Sequence, residues 1–428
     1  MKVLAVADSD SYLKWAACLL GDLPPGCTAE LTVIRTPITP SPAQIHAAVA
    51  GAPRPRPATA GTAGPAPGEA GEPPVLSARA LRRAAERLRP DVVLLACTGP
   101  VVDILAGEVL AGLSPRPVFV SGLPGISIPA TEKAWLFRSG CDLFVLHSGR
   151  EVEEFSEVGR RLGGGGQVGL ARLPFLHGDG RAGGHGGGHG AAPGGRTPGT
   201  GPRNRVVFAT QAKVPRRREE RERILASLAE LAGHRPDLDV VVKLRALDGE
   251  RQTHNERHHY QRLWQELGGP EDTLRFAAGP MREHLERAAG FVTVSSTAAL
   301  EAIAQSVPLL VLSDFGVNAE MINLVFEGSG VLGTLDDLSH GRFLTPDADW
   351  CRANYFHDSS ESDWSSRLVA LVGQARSGRL APARSLLDGP QHAAARRRAR
   401  LRVEVPPNVL RAGYRAKRRM SRYLKTLG

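Results

Sequence analysis

The sequence predicts an α/β protein with two domains, each containing a doubly wound parallel sheet. Short apolar segments suited to strands alternate with amphipathic segments suited to helices along most of the 428 residues. Several strand segments, such as 91–96, are almost wholly apolar, as in parallel strands that helices cover on both faces. A stretch dominated by glycine, 178–203, separates two such alternating regions and is typical of a flexible linker.

The first domain is expected to span residues 1–177. Repeated strand–helix units favour a parallel sheet with helices on both faces. Residues 51–74 are rich in proline, glycine and alanine and predict a disordered surface insertion. The predicted strands lie at 3–7, 31–35, 91–96, 118–121 and 143–147, and the predicted helices at 12–20, 77–88, 101–110 and 131–138.

The second domain is expected to span residues 204–390 and repeats the same alternation. Its predicted strands lie at 206–209, 240–244, 275–277, 291–294 and 308–313. Its predicted helices lie at 217–232, 255–267, 281–288, 298–305 and 319–328.

The net charge of +10 is concentrated near the end of the sequence. After residue 390 there are 12 Lys and Arg residues and one acid, Glu404, which leaves 42 basic and 43 acidic residues in the rest of the chain. We therefore expect no nucleic-acid partner for the folded body.

The tail, 391–428, is basic, and residues 408–427 have apolar side chains at helical spacing, which predicts a basic amphipathic helix. Three interpretations stay open for it. Residues 396–427 could bind an anionic membrane surface, the helix could pack across a domain interface, or it could form a solvated or nucleic-acid-binding arm.

The cysteines and the apolar segments indicate a compartment. The five cysteines form no CxxC pair, and an odd number of scattered cysteines suits a reducing environment. The sequence begins directly with a predicted strand, and no apolar run approaches the roughly 20 residues that span a bilayer. These features favour a cytoplasmic protein, with peripheral contact to the inner face of the plasma membrane through its tail.

The segment 291–315, FVTVSSTAALEAIAQSVPLLVLSDF, carries the most informative chemistry. A buried strand is expected to end in Ser295, Ser296 and Thr297, which begin a helix. Free backbone N–H groups and the helix dipole at such a position favour a phosphate group. Glu301, in the first turns of that helix, is placed to accept hydrogen bonds from a ribose diol. The following strand ends at Asp314, on the sheet edge where open α/β sheets bind ligands.

This strand–Ser/Thr–helix–Glu–Pro–strand pattern resembles the C-terminal donor domain of GT-B glycosyltransferases. RVVFATQA and DVVVKLR look like the first two strands of that domain. The whole chain also resembles an uncharacterised group of actinobacterial proteins expected to be glycosyltransferases. The resemblance implies two Rossmann-like domains that face a cleft.

The resemblance also implies a donor site. Ser295, Ser296 and Thr297 would hold the donor phosphates, and Glu301 the ribose. Further donor-binding candidates follow the first, second and fifth strands of the domain: Thr210, Gln211, Lys213, Lys243, Arg245 and Asp314. Two departures from the family are visible. Many relatives have His-Pro after the lysine of the second strand, where this chain has Leu-Arg-Ala, and the first strand of the first domain lacks a glycine-rich turn.

Catalytic candidates lie in the first domain. Asp8-Ser9-Asp10 follows the first strand, so Asp8 or Asp10 could act as a general base on an acceptor hydroxyl. The same residues resemble a DxD metal motif, and they also suit a simple capped turn. Glu132 is a second candidate base. We expect no metal and no cofactor beyond the nucleotide-sugar co-substrate.

The leading hypothesis is a GT-B glycosyltransferase, expected to be metal-independent, that moves a sugar from a nucleotide donor to a hydroxyl acceptor. A cell-surface glycan, such as a cell-envelope polysaccharide, or its lipid-linked precursor would be the acceptor. A nucleotide-sugar epimerase of the same architecture would share the donor site and need no acceptor. A non-catalytic, membrane-associated scaffold would keep the fold and use the basic tail.

Overall fold

The structure, a computed structural model, describes residues 1–50, 72–173, 176, 203–244, 256–405 and 409–410. Within this part the fold class is confirmed, because the chain forms two compact α/β units with one parallel sheet each. Most of the predicted insertion and linker, and the tail from residue 411, lie outside the described residues. Arg245 lies outside them as well.

Unit 1 contains Met1–Pro174 and Asp358–Gly428. Its strands are β1 (Lys2–Ala7), β2 (Thr28–Ile34), β3 (Val75–Leu76), β4 (Val92–Ala96), β5 (Val118–Gly122), β6 (Leu143–Leu146) and β7 (Gln167–Leu170). They form a parallel sheet in the order β3-β2-β1-β4-β5-β6-β7. The strands are added on one side from β1 to β3 and on the other from β4 to β7, so the strand order reverses between β1 and β4.

The first part of unit 1 contains the four helices that the sequence predicts and two further helices, at 42–49 and 149–162, that were not predicted. They are α1 (Asp10–Gly21), α2 (Pro42–Val49), α3 (Ala78–Leu88), α4 (Gly99–Ile104), α5 (Glu132–Leu136) and α6 (Gly149–Leu162). The predicted helix 101–110 divides into α4 and a π-helical turn at Leu105–Val109. Ser77 caps α3 by accepting a hydrogen bond from Ala80 N at 3.3 Å, which fixes the predicted start of that helix.

Unit 2 contains Phe175–His357 and a second parallel sheet. Its strands are β8 (Arg205–Ala209), β9 (Asp239–Lys243), β10 (Arg275–Ala277), β11 (Ala288–Thr293), β12 (Leu309–Leu312) and β13 (Leu332–Gly333). The order is β10-β9-β8-β11-β12-β13, with the reversal between β8 and β11. The helices are α7 (Arg218–His234), α8 (Tyr260–Glu266), α9 (Met281–Leu285), α10 (Ala298–Ala304), α11 (Leu335–Ser339) and α12 (Ala348–Ala353).

The predicted helix at 319–328 is wrong, because only a short 3₁₀ turn, Leu324–Phe326, forms there. Two asparagines explain the difference. Asn323 Nδ2 donates to Gly316 O at 3.0 Å, and Asn318 Oδ1 accepts from Met321 N at 2.9 Å. These bonds hold residues 316–323 in turns, and Ile322 has a φ of 60°, in the left-handed region that a right-handed helix does not contain.

The chain returns to unit 1 after residue 357, whereas the sequence placed the end of the second domain at 390. Helix α13 (Trp364–Arg376) packs against the first sheet, and α14 (Ala393–Glu404) packs against α3 and α4. Trp364, Leu368 and Leu371 are buried in the core that contains Trp15. Apolar burial therefore assigns this segment to unit 1.

No helix in the described residues is long and apolar enough to cross a membrane.

Candidate functional site

Each sheet has a point where the strand order reverses, and polar residues follow the strands there. In doubly wound sheets the carboxyl ends of the strands beside this reversal diverge and leave a binding crevice. In unit 2 the reversal lies between β8 and β11, which are followed by Thr210 and Ser295. In unit 1 it lies between β1 and β4, which are followed by Asp8 and Thr98. We call these two places the unit 2 edge and the unit 1 edge.

At the unit 2 edge, Gln211 connects the two strands that flank the reversal. Its Nε2 donates to Ser295 O at 2.5 Å, while its Oε1 is buried and has no hydrogen-bond partner among the residues that the structure describes. Thr210 Oγ1 donates to Lys243 O at 3.2 Å and joins β8 to β9. The structure therefore brings together the predicted residues after β8, β9 and β11.

The hydroxyl groups after β11 are not equivalent. Ser295 is buried, and its Oγ donates to Ile322 O at 2.6 Å, so it holds the following loop. Ser296 is half-buried, and its Oγ accepts from Ala298 N at 3.2 Å, which leaves its proton available to a ligand. Thr297 is half-buried, and its side chain makes no capping hydrogen bond to α10. Ser296 and Thr297 are therefore better placed than Ser295 to meet a phosphate group.

The charged candidates of unit 2 differ in exposure and in engagement. Lys243, at the end of β9, and Glu301, in α10, are half-buried, whereas Lys213 is exposed. Asp314 Oδ2 accepts from Leu335 N at 2.8 Å and Oδ1 lies 3.5 Å from Arg223. Asp314 therefore holds the start of α11.

Sequence reasoning missed Arg221, a buried arginine that fastens the loops of the unit 2 edge. Its Nη2 donates to Gln211 O at 3.0 Å and to Ala212 O at 3.1 Å. Its Nη1 donates to Glu256 Oε1 and to His258 O, at 2.5 Å in each case. The side chains of Arg221 and Glu256 are 2% and 4% exposed. Their hydrogen bonds fix the segments after β8 and before α8 relative to α7.

A signal for Arg221 was present in the sequence. It occupies the same helical face as Ile224, Leu225 and Leu228, all of which are buried. An arginine in the apolar stripe of a helix indicates a buried ion pair or a binding residue.

At the unit 1 edge, a buried carboxylate bridges the two strands beside the reversal. Asp8 is fully buried, and its Oδ2 accepts from Thr98 N at 2.8 Å and from Thr98 Oγ1 at 2.5 Å. Its Oδ1 is buried and, within the described part of the chain, has no hydrogen-bond partner. Burial raises the pKa of the Asp8 carboxyl above its ordinary value, against the lowering effect of the hydrogen bonds from Thr98.

Arg138, which the sequence did not indicate as a site residue, makes several hydrogen bonds near this carboxylate. It is buried, its Nε donates to Gly122 O at 3.1 Å and its Nη2 to Tyr12 Oη at 2.8 Å. Burial, partly opposed by the positive charge of Arg138, raises the pKa of Tyr12 to about 12. The guanidinium group of Arg138 therefore holds the end of β5 and the first turn of α1 beside Asp8.

The other two catalytic candidates lie in different surroundings. Asp10 is exposed as the first residue of α1. Glu132 pairs with Arg161 at 2.6 Å, with both side chains about half exposed. Arg161 is in the last turn of α6, which starts after β6 and runs back along the sheet, so Glu132 lies away from Asp8. Among the described residues, no group of three or more His, Cys, Asp or Glu side chains is arranged to hold a metal ion.

Comparisons with known proteins agree with this architecture. The model of a family described as "Putative glycosyltransferase (DUF6716)" matches residues 3–371. No curated protein matches the sequence.

Among solved structures, the UDP-GlcNAc 2-epimerase from Neisseria meningitidis bound to UDP-GlcNAc has a TM-score of 0.51 and 12% identity, covering 87% of this chain and 100% of that chain. The Staphylococcus aureus MnaA–UDP structure has a TM-score of 0.50 and 12% identity, covering 90% and 99%. The UDP-GlcNAc 2-epimerase from Methanocaldococcus jannaschii has a TM-score of 0.50 and 11% identity, covering 86% and 99%. At such low identity the likeness shows the fold, which is of the GT-B type predicted from the sequence.

Proposed function

The chain belongs to the family described as "Putative glycosyltransferase (DUF6716)", and on that premise we propose that it transfers a sugar from a nucleotide-sugar donor to a hydroxyl acceptor. The observation that carries the proposal is the unit 2 edge. There, hydroxyl groups and a lysine meet at the strand-order reversal, where doubly wound sheets bind nucleotides.

In this proposal the donor diphosphate lies against Ser296 and Thr297, and Lys243 balances its charge. Glu301 accepts hydrogen bonds from the ribose, and the buried Oε1 of Gln211 accepts one from the donor. Arg245 and Lys213 would contribute further positive charge. UDP is the first nucleotide to test, because two of the structures with a similar fold contain UDP or UDP-GlcNAc.

Asp8 is the proposed base, acting through Thr98. Thr98 is half-buried and connects the fully buried carboxylate to the surface, because its hydroxyl donates to Asp8 Oδ2. As the acceptor oxygen attacks the anomeric carbon, its proton passes to Thr98 Oγ1, and the Thr98 proton passes to Asp8. The bond from the anomeric carbon to the donor oxygen breaks, and the nucleoside diphosphate leaves. The raised pKa of Asp8 suits proton acceptance better than an ordinary carboxylate would.

The decisive experiment measures donor binding. Purified protein is screened by thermal shift and calorimetry against UDP-, GDP-, CMP- and dTDP-sugars, together with Ser296→Ala and Glu301→Ala. We expect one nucleotide class to stabilise the wild type, and each substitution to weaken its binding. A folded protein that binds no nucleotide would contradict the proposal and favour the scaffold.

An epimerase remains the second candidate, since the three similar structures described above include two named UDP-GlcNAc 2-epimerases. The two functions separate in one assay. An epimerase converts the UDP-sugar into its epimer without an acceptor, which proton NMR detects, whereas a transferase leaves the sugar configuration unchanged until an acceptor is added.

The acceptor and the location complete the proposal. A cell-surface glycan or a lipid-linked precursor would be reached at the cytoplasmic face of the membrane, with residues 396–427 bound to anionic lipid. The actinobacterial origin and the independence from metal stay predictions.

A further inference from the structure

Helices α3 and α14 pack side by side on unit 1 and are both unusually basic. α3 carries four arginines and one glutamate, and α14 carries five arginines and one glutamate. They share one apolar core, in which Ala399 and Val403 of α14 are buried with Leu81 and Leu88 of α3. Two positively charged helices are thus held together although their buried side chains are 311 to 322 residues apart in the sequence.

Some arginines of each helix are neutralised within the protein. Arg82 pairs with Glu86 at 2.7 Å, and Arg400 pairs with Glu404 at 2.9 Å. Arg396, 16% exposed, donates to Asp103 at 2.9 Å. The acidic residues of both helices are therefore already engaged.

The remaining arginines form an exposed set without ion-pair partners among the residues that the structure describes. They are Arg79, Arg83 and Arg87 on α3, and Arg397, Arg398 and Arg402 on α14. We name this set the arginine face. The three residues on α3 are spaced four apart, so they repeat on one side of the helix. Like charges at this spacing repel one another and destabilise an isolated helix, and an anionic surface would relieve that repulsion.

An exposed leucine and the lack of aromatic residues indicate which kind of anion the arginine face binds. Leu401 is 43% exposed between arginines of α14. Neither helix contains an aromatic residue, so neither offers the stacking platform typical of single-stranded nucleic-acid sites. Because the apolar faces of both helices are buried in the core of unit 1, contact with a lipid surface would depend mainly on electrostatic attraction between the arginines and anionic headgroups. The sequence after 410 continues with seven further Lys and Arg residues.

We propose that the arginine face binds the anionic headgroups of a membrane, and that α3 contributes as much to this contact as α14 does. The proposal deepens the membrane part of the proposed function, since it extends the contact from the tail into the folded body of unit 1. Electrostatic attraction near such a surface amounts to about 1 kcal/mol per Lys or Arg. Three arginines on α3 are therefore expected to change binding on the order of 100-fold.

The test uses the full chain and vesicles made either of phosphatidylcholine alone or of phosphatidylcholine with phosphatidylglycerol. Co-sedimentation is measured for the wild type and for Arg79→Ala/Arg83→Ala/Arg87→Ala. We expect the wild type to bind the anionic vesicles only, and the triple variant to bind them on the order of 100-fold more weakly.

The matched control removes three exposed arginines from unit 2, as Arg257→Ala/Arg282→Ala/Arg352→Ala, with the same change in net charge. It is expected to bind the vesicles as the wild type does. Thermal melting checks that both variants are folded, and nucleotide binding, measured separately, tests the proposed function independently.

Two outcomes would overturn the proposal. One is wild-type vesicle binding by the α3 variant, which would assign all contact to the tail. The other is wild-type protein that ignores anionic vesicles, or that binds RNA in their place.

Discussion

The two edges share a topology and differ in the chemistry of the residues that join the strands. At the unit 1 edge the joining group is Asp8, an ionisable carboxylate that is fully buried and hydrogen-bonded to Thr98. At the unit 2 edge it is Gln211, a neutral amide bonded to Ser295 O, beside hydroxyls and a lysine. A desolvated carboxylate suits proton transfer, whereas neutral donors and a cation suit the binding of an anion. In the proposed function, the carboxylate of unit 1 would accept the proton and the hydroxyls and lysine of unit 2 would bind the donor.

The largest effect is expected for Asp8→Asn, which tests whether the two edges have different tasks. If the unit 1 edge handles the proton, we expect turnover to fall about 100- to 10,000-fold, as for loss of a general base. The dissociation constant for the nucleotide-sugar should stay unchanged, and calorimetry measures it. Thr98→Val should act in the same direction because it removes the hydroxyl that connects Asp8 to the surface. Full activity in Asp8→Asn combined with inactive Asp10→Asn would move the base to the exposed start of α1.

The second prediction concerns Arg221, which supports the unit 2 edge. Arg221→Met leaves the carboxylate of Glu256 buried without its ion-pair partner, which costs about 3–5 kcal/mol of unfolding free energy. Urea denaturation measures the loss. Arg218→Met is the control, since Arg218 lies one turn earlier and is 42% exposed. Equal effects of the two substitutions would show that burial of the Arg221 pair is not the cause.

The third prediction uses the raised pKa of Asp8. Its folded-state pKa lies above the ordinary value of 3.8, so the protein is least stable, relative to Asp8→Asn, when this carboxylate is ionised. The asparagine variant should therefore be more stable than the wild type at neutral pH. Its advantage should shrink as the pH falls through the folded-state pKa and vanish below about 3.8. Denaturation midpoints measured across this range check the sign, and a constant difference would contradict the raised pKa.

The smallest effect is expected for Glu132→Ala. Its ion pair with Arg161 is about half exposed on both sides, and such pairs contribute less than about 1 kcal/mol. Turnover should be unchanged, because Glu132 lies away from the unit 1 edge. A large loss of turnover in a steady-state assay would instead make Glu132 part of the acceptor site.

Ten of the thirteen strands in the described residues were predictable, because local patterns report on burial, whereas β3, β7 and β13 were not predicted. The apolar run 91–96 became β4, and the strand–Ser/Thr–helix pattern became β11 and α10. Donor candidates followed from position alone, since residues after parallel strands share one edge. Which of them face a ligand was not predictable. Ser295 and Ser296 are adjacent and chemically identical, but only the structure shows that Ser295 is engaged by Ile322 O.

Long-range partners explain what the sequence did not reveal. Thr98 lies 90 residues from Asp8, and Tyr12 lies 126 residues from Arg138. No local pattern marks either pair. The predicted boundary at 390 differs from the observed one for the same reason, because α13 looks like an ordinary helix and the strands that it covers, β5 to β7, end at least 194 residues earlier.

The discontinuity of unit 1 also has a consequence for how the protein is made. When residue 174 leaves the ribosome, Trp15 and the strands beside it lack the cover that Leu368 and Leu371 provide. All of unit 2 must be synthesised before α13 emerges. The strands of the first sheet are therefore synthesised first, but their packing is completed last. The face that α13 covers stays exposed, and needs protection from aggregation, while unit 2 is synthesised.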